Sequence, residues 1–164
     1  KHHETNEPLP DELLERLKAA KNFQAGLSML RQLEFAIFDF KLHLEFDEVI
    51  ENQVQKTLDW VRSHYAVLPA APYNRFQHSF SHIFAGGYAA GYYSYLWAEV
   101  LSSDAFSRFE EEGIFNPDTG RLFLENILEK GGSQEPEALF EAFRGRGPSI
   151  EALLKHHGLS ESRS

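Results

Sequence analysis

Between residues 22 and 46 the apolar positions fall into two helical stripes. Phe23, Leu27, Leu30, Ile37, Phe40 and Leu44 form one, and Phe35, Phe38, Leu42 and Phe46 form a second on a neighbouring face. A 3.6-residue period stacks such positions on one side of an α-helix, so the pattern predicts a long helix, apolar on two faces and therefore central. Ahead of it, Pro8-Leu9-Pro10 followed by Asp11-Glu12 places proline and acids where a helix starts, and Leu13, Leu14 and Leu17 give a short stripe, predicting a helix over 10–21. Asp47 is a candidate cap for a further helix through Val49, Val54, Leu58, Trp60 and Val61, which ends before Pro69-Ala70-Ala71-Pro72. A loop over 72–87 follows, then a periodic helix predicted from Tyr88 to about residue 103. Short amphipathic segments are expected around 105–112, 119–129, 135–143 and 150–157, punctuated by Gly113, Gly131-Gly132 and Gly145-Arg146-Gly147-Pro148. Gly158 reads as the cap of the last one.

No stretch alternates with the period of a strand, so the expected fold class is all-α. Residues 1–158 read as one helical segment and 159–164 as a flexible tail. With 42% apolar and 25% charged residues the composition is that of a folded protein, and 14 Phe beside a single Met put aromatic rings at the centre of the core. The absence of cysteine removes disulfide and thiolate chemistry. Acids outnumber bases 25 to 16, and the resulting −9 charge repels phosphate backbones and anionic lipid surfaces, so neither nucleic acid nor membrane is an expected partner. No run approaches the roughly 18 apolar residues of a membrane span, and Lys1-His2-His3-Glu4 offers no apolar signal-peptide core. The expected location is the cytoplasm.

Eight histidines raise the question of metal. A zincin helix needs His-Glu-x-x-His, and the nearest approach, His3-Glu4-Thr5-Asn6-Glu7, has Glu in place of the second His. Asp39, His43 and Asp47 recur every four residues and would share a helical face, either as metal ligands or as a hydrogen-bonded Asp–His pair that orders a buried helix. A different constellation surrounds Gly86-Gly87. On a helix beginning near Tyr88, Tyr88, Tyr92 and Tyr95 would line one face, and phenols that stay protonated at neutral pH are donors for an oxygen gaining negative charge. The two glycines allow the backbone to approach a ligand or to swing toward it. The same stripe also has a purely structural reading, as core rings with satisfied hydroxyls.

The run His82-Ile83-Phe84-Ala85-Gly86-Gly87-Tyr88-Ala89-Ala90-Gly91-Tyr92-Tyr93-Ser94-Tyr95-Leu96-Trp97 resembles the glycine-rich loop and helix of the thimet oligopeptidase and oligopeptidase A family of zinc metallopeptidases, which includes peptidyl-dipeptidases. Ala20-Lys21-Asn22-Phe23-Gln24-Ala25-Gly26, Phe38-Asp39-Phe40-Lys41-Leu42-His43, Phe106-Ser107-Arg108-Phe109-Glu110 and Phe143-Arg144-Gly145-Arg146-Gly147-Pro148 carry the resemblance across nearly the whole chain. It implies the C-terminal, helical part of an enzyme that hydrolyses short peptides, forming part of one wall of a substrate channel. It further implies that His82 and Tyr95 serve catalysis, with Tyr95 donating to the oxyanion. Tyr88, Tyr92, Gly86 and Gly87 would serve substrate binding. The zinc and its ligands would then belong to the N-terminal remainder of the same enzyme.

A free-standing helical module that binds peptides without chemistry is the alternative, and an in-frame His-Glu-x-x-His upstream of Lys1 would decide against it. Lacking that motif, the isolated chain is expected to bind no stoichiometric zinc and to turn over no peptide. Metal analysis after dialysis checks this. One zinc per chain, lost in His43→Ala, would overturn it.

Overall fold

The computed structural model describes residues 1–160, and among these the regular structure is entirely helical. The first helix, α1 (Asp11–Ala20), has Pro10 at its N-cap and Asp11 and Glu12 in its first turn, where acids complement the helix dipole. It buries none of its residues, and Leu13 and Leu17 face solvent.

The predicted long helix is α2 (Ala25–Glu45). Its two stripes have different fates. Phe38 and Leu42 pack into a core with Leu58 and Val61 of α3 (Gln53–Tyr65), while Phe40 and Leu44 of the other stripe are exposed. The sequence places the start of α3 too early. Asp47 Oδ1 does accept the Val49 N–H at 2.9 Å, but this makes a local turn, because Asn52 adopts a left-handed conformation (φ 57°) and the helix begins only after it. Gln53 ties the connection, accepting from the Asp47 N–H and donating to the Glu45 carbonyl, each at 2.6 Å.

Two single turns, α4 (Phe76–Ser79) and α5 (Ser81–Phe84), close over this core with Phe80 and Ile83. Phe35, Phe76, Phe80 and Tyr92 form its aromatic centre, with Phe35 stacked on Phe76 at 4.5 Å between centroids.

The next helix, α6 (Ser94–Glu112), differs from expectation at both ends. It starts six residues later than Tyr88, and it runs unbroken to Glu112, joining the helix expected to end near residue 103 to the segment expected around 105–112. Ser102 and Ser107 direct their hydroxyls to the carbonyls three residues back, so the serines are satisfied within the helix. Asp104, fully buried, receives Arg146 Nη2 at 2.6 Å on Oδ1, and Arg146 Nη1 and the Ser149 N–H at 2.7 Å on Oδ2.

The remaining elements wrap α6. They are α7 (Pro117–Phe123), capped by the Asn116 side chain and followed by a π-helical turn (Leu124–Leu128), α8 (Pro136–Arg144) and α9 (Glu151–His156). Phe109, Phe123 and Phe143 join α6, α7 and α8 ring to ring. Gly145 (φ 81°) ends α8. After α9, Gly158 (φ 67°) gives a two-bond cap, in which its own N–H reaches Lys155 O at 3.0 Å and the Leu159 N–H reaches Leu154 O at 2.8 Å. Of the tail expected over 159–164, residues 161–164 lie outside the described residues.

Burial alone would push the Asp104 carboxyl up, but the Arg146, Ser149 and Arg144 donors outweigh it and hold the group below the ordinary carboxylate range. A depressed folded-state value contributes stability that is fully present above the unfolded-state value and is lost as pH falls through the folded one. Asp104→Ala is expected to destabilise the chain by about 3 kcal/mol at neutral pH, at the low end for a broken buried pair because Arg146 is partly solvated. Urea unfolding of parent and variant across pH checks this, and the gap should narrow in acid. Equal stabilities at neutral pH would sink it.

Candidate active site

The segment from Gly86 to Tyr93 is built on close backbone approaches. Gly86 lies so near the preceding turn that a Cβ there would come within 3.0 Å of the His82 backbone, so only glycine fits without a shift. Gly87 has open space around it and is required for its φ of 80° instead. The Tyr88 N–H reaches back to His82 O at 3.0 Å, and the Gly91 N–H to Tyr88 O at 2.8 Å.

The predicted helix over 88–93 does not form, and a turn takes its place. Ala90 sits in the left-handed region at φ 55°, a conformation that costs a residue with a Cβ about 1–2 kcal/mol. What compensates is Asp39, a fully buried carboxylate in the middle of α2. Its Oδ1 accepts the Ala90 N–H and its Oδ2 the Tyr92 N–H, both at 2.9 Å. Two amides of the turn are thus taken up by a side chain some fifty residues away, and α6 begins after them, at Ser94.

The turn nevertheless gathers the candidate rings. Tyr88 and Tyr95 stack at 5.2 Å between centroids, and Tyr92 lies 5.2 Å from Tyr95. His82 stands 6.3, 5.9 and 6.5 Å from Tyr88, Tyr92 and Tyr95. Within the group the hydroxyls are differently committed. Tyr92 donates to Gln32 Oε1 at 3.0 Å and its ring packs on Phe35 and Phe80, whereas Tyr88 and Tyr95 are partly open to solvent at 38% and 43%. The hydrogen-bonding Tyr88 phenol beside it, then burial, raise Tyr95 above the ordinary phenol range, and burial raises Tyr92. Tyr92 and Tyr95 therefore remain protonated donors through any physiological pH.

The acid–imidazole repeat of α2 is separated by its surroundings. His43 Nδ1 lies 2.9 Å from Asp39 Oδ1 and 2.8 Å from the Asp39 carbonyl, and since both neighbours only accept, Nδ1 carries the hydrogen. Asp47 belongs to the turn with Val49. Among the described residues no three His, Cys, Asp or Glu side chains gather in a manner able to hold a metal ion. Sequence reasoning missed Gln32 and the loop-binding role of Asp39. The available signal was a single charged residue within the otherwise apolar stripe of Phe35, Phe38 and Leu42.

Comparison with known proteins places the chain in a family. The model of peptidase family M3 matches residues 1–159. Oligopeptidase A of Haemophilus influenzae is 63% identical over 158 residues, 96% of this chain and 23% of that protein. Oligopeptidase A of Escherichia coli is 60% identical over the same share of each. The dipeptidyl carboxypeptidase of Escherichia coli is 36% identical over 161 residues, 98% of this chain and 24% of that protein. The chain thus spans about a quarter of the length of these relatives. With a family match over nearly its whole length, the chain belongs to peptidase family M3.

Proposed function

We propose that this chain is the donor half of a zinc-dependent oligopeptidase site, acting on short peptides in the cytoplasm as part of a longer enzyme. The observation that carries this reading is the cluster of His82, Tyr88 and Tyr95 at the glycine turn, with two partly open phenols stacked side by side. In a longer enzyme the metal and the water it activates would be held by residues outside this chain. The chain's own contribution is then electrophilic. His82 and Tyr88 hold the substrate backbone, and Tyr95 donates to the carbonyl oxygen as negative charge develops on it. Gly87, with open space where a Cβ would stand, lets the strand of substrate approach without meeting a side chain, and Gly86 allows the turn to pack on the His82 backbone behind it. Tyr92, its hydroxyl directed at Gln32, supports the wall behind them.

The remainder of the enzyme is the proposed partner of the apolar surfaces. A groove of about 730 Å³ runs between α2 and α6, lined by Phe40, Leu44, Trp60, Tyr93, Leu96 and Trp97. A second, of about 700 Å³, lies between α6, α7 and α8. Contiguous apolar surface of this kind marks an interface. The relatives' length beyond the matched quarter supplies chain enough to cover it.

Tyr95→Phe in the full-length enzyme removes one donor and keeps the ring. The expected loss is on the order of 10²–10³ in kcat, with KM little changed, because the interaction strengthens only as charge develops. Steady-state kinetics at equal zinc occupancy measures it. A kcat within about threefold of the parent's would assign Tyr95 to packing and remove the oxyanion role.

A further inference from the structure

Asp39 is costly to place where it is. Its side chain is completely buried in a helix face otherwise made of Phe35, Phe38 and Leu42, and a carboxylate there demands replacement of its whole hydration shell. Three donors supply it: the Ala90 N–H and His43 Nδ1–H on Oδ1, and the Tyr92 N–H on Oδ2, each at 2.9 Å. Two of the three belong to the glycine turn. They flank Gly91 and fix both sides of the one non-glycine residue in this turn at positive φ, Ala90.

We propose that Asp39 is the positioning residue of the site: its carboxylate clamps the backbone of Ala90 and Tyr92, and so sets where Tyr88 and Tyr95 stand relative to each other and to His82. Tyr88 precedes the clamped residues by two positions and Tyr95 follows them by three. The stacked pair is therefore the two ends of a hairpin-like turn whose middle is bolted to α2. Left-handed Ala90 is the geometry that folds Tyr88 back over Tyr95. A helical Ala90 would instead space the two rings along one helix face. His43 acts from the far side, and its hydrogen, shared between the Asp39 carbonyl and Oδ1, fixes the rotamer of the clamp. Asp39 touches no substrate in this arrangement and acts through the turn.

The proposal rests on reading His82, Tyr88 and Tyr95 as substrate-facing donors, but its two halves can be tested apart. In the unaltered chain, amide exchange should show Ala90 and Tyr92 protected by at least tenfold over Gly87 and Ala89, whose N–H groups have no backbone or side-chain acceptor among the described residues. Exchange of Ala90 and Tyr92 as fast as that of Ala89 would overturn the clamp without any variant being made. Asp39→Asn keeps the shape but turns an amide donor toward one of the two N–H groups. It should release that protection by tenfold or more, while the Leu58 and Val61 amides in the core of α3 stay within about threefold. In the full-length enzyme the same variant should lower kcat at least tenfold and raise KM. The control Leu58→Val, which trims the same core beneath the clamp, should leave both constants per folded molecule near the parent's. If Asp39→Asn frees the loop amides and kcat does not fall, the positioning role is overturned. If Tyr95→Phe leaves kcat intact while Asp39→Asn still frees the loop, the clamp stands and the oxyanion reading is what fails.

Discussion

A carboxylate removed from water costs several kcal/mol unless donors surround it, and the fold of this chain is organised by where it meets that cost. Glu34, Asp39 and Asp104 are all buried, and each is answered by groups distant in sequence. Glu34 takes Arg62 Nε at 2.9 Å and so locks α2 to α3, beside Arg31 of its own helix, whose Nη1 is shared between both carboxylate oxygens. Asp104 gathers the Arg144–Ser149 segment onto α6. Asp39 pins the glycine turn to α2. Each ion fixes one connection that hydrophobic packing alone would leave free to slide, since apolar contact is non-directional and a carboxylate with placed donors is not.

The division between legible and illegible features in the sequence follows the same line. The period of α2, the proline and acids of α1 and the glycine ends of α8 and α9 are local devices, and local reasoning finds them. The start of α6 is different. Tyr88, Ala89, Ala90 and Tyr92 carry nothing that forbids a helix, and only a carboxylate on another element turns two of their amides away. The same holds for Asp104, which carries no local sign of the Arg146 guanidinium that lies against it. The candidate rings were visible from their chemistry, yet on a straight helix face, whereas the structure brings them together around a turn. What is not legible in each case is a side-chain-to-backbone or ion-pair contact spanning forty or more residues.

The two stripes of α2 show how the chain divides its apolar surface. Phe38 and Leu42 are consumed internally, while Phe40 and Leu44 meet Trp60, Tyr93 and Trp97 around an open groove crossed by Lys41, whose ammonium sits 4.4 Å from the Trp60 ring. A long aliphatic stem with its charge over an indole is suited to a boundary, covering apolar surface and keeping water at the edge.

Gly158 closes the α9 cap against Asn22. A Cβ on it would come within 2.6 Å of the Asn22 side chain, and Leu159 reaches Gly26 at the start of α2. The last described turn therefore rests on the entry to the second helix, nearly the full length of the chain away. Closing so long a loop costs entropy that grows only with the logarithm of its length, so the contact weighs little on equilibrium stability compared with its effect on order of assembly. The helices and their neighbouring pairs can form from local contacts first, and the seam between the two ends completes only after everything between them is in place. The end-to-end seam is in that sense a record of finished folding, formed last and reporting on all the packing that precedes it.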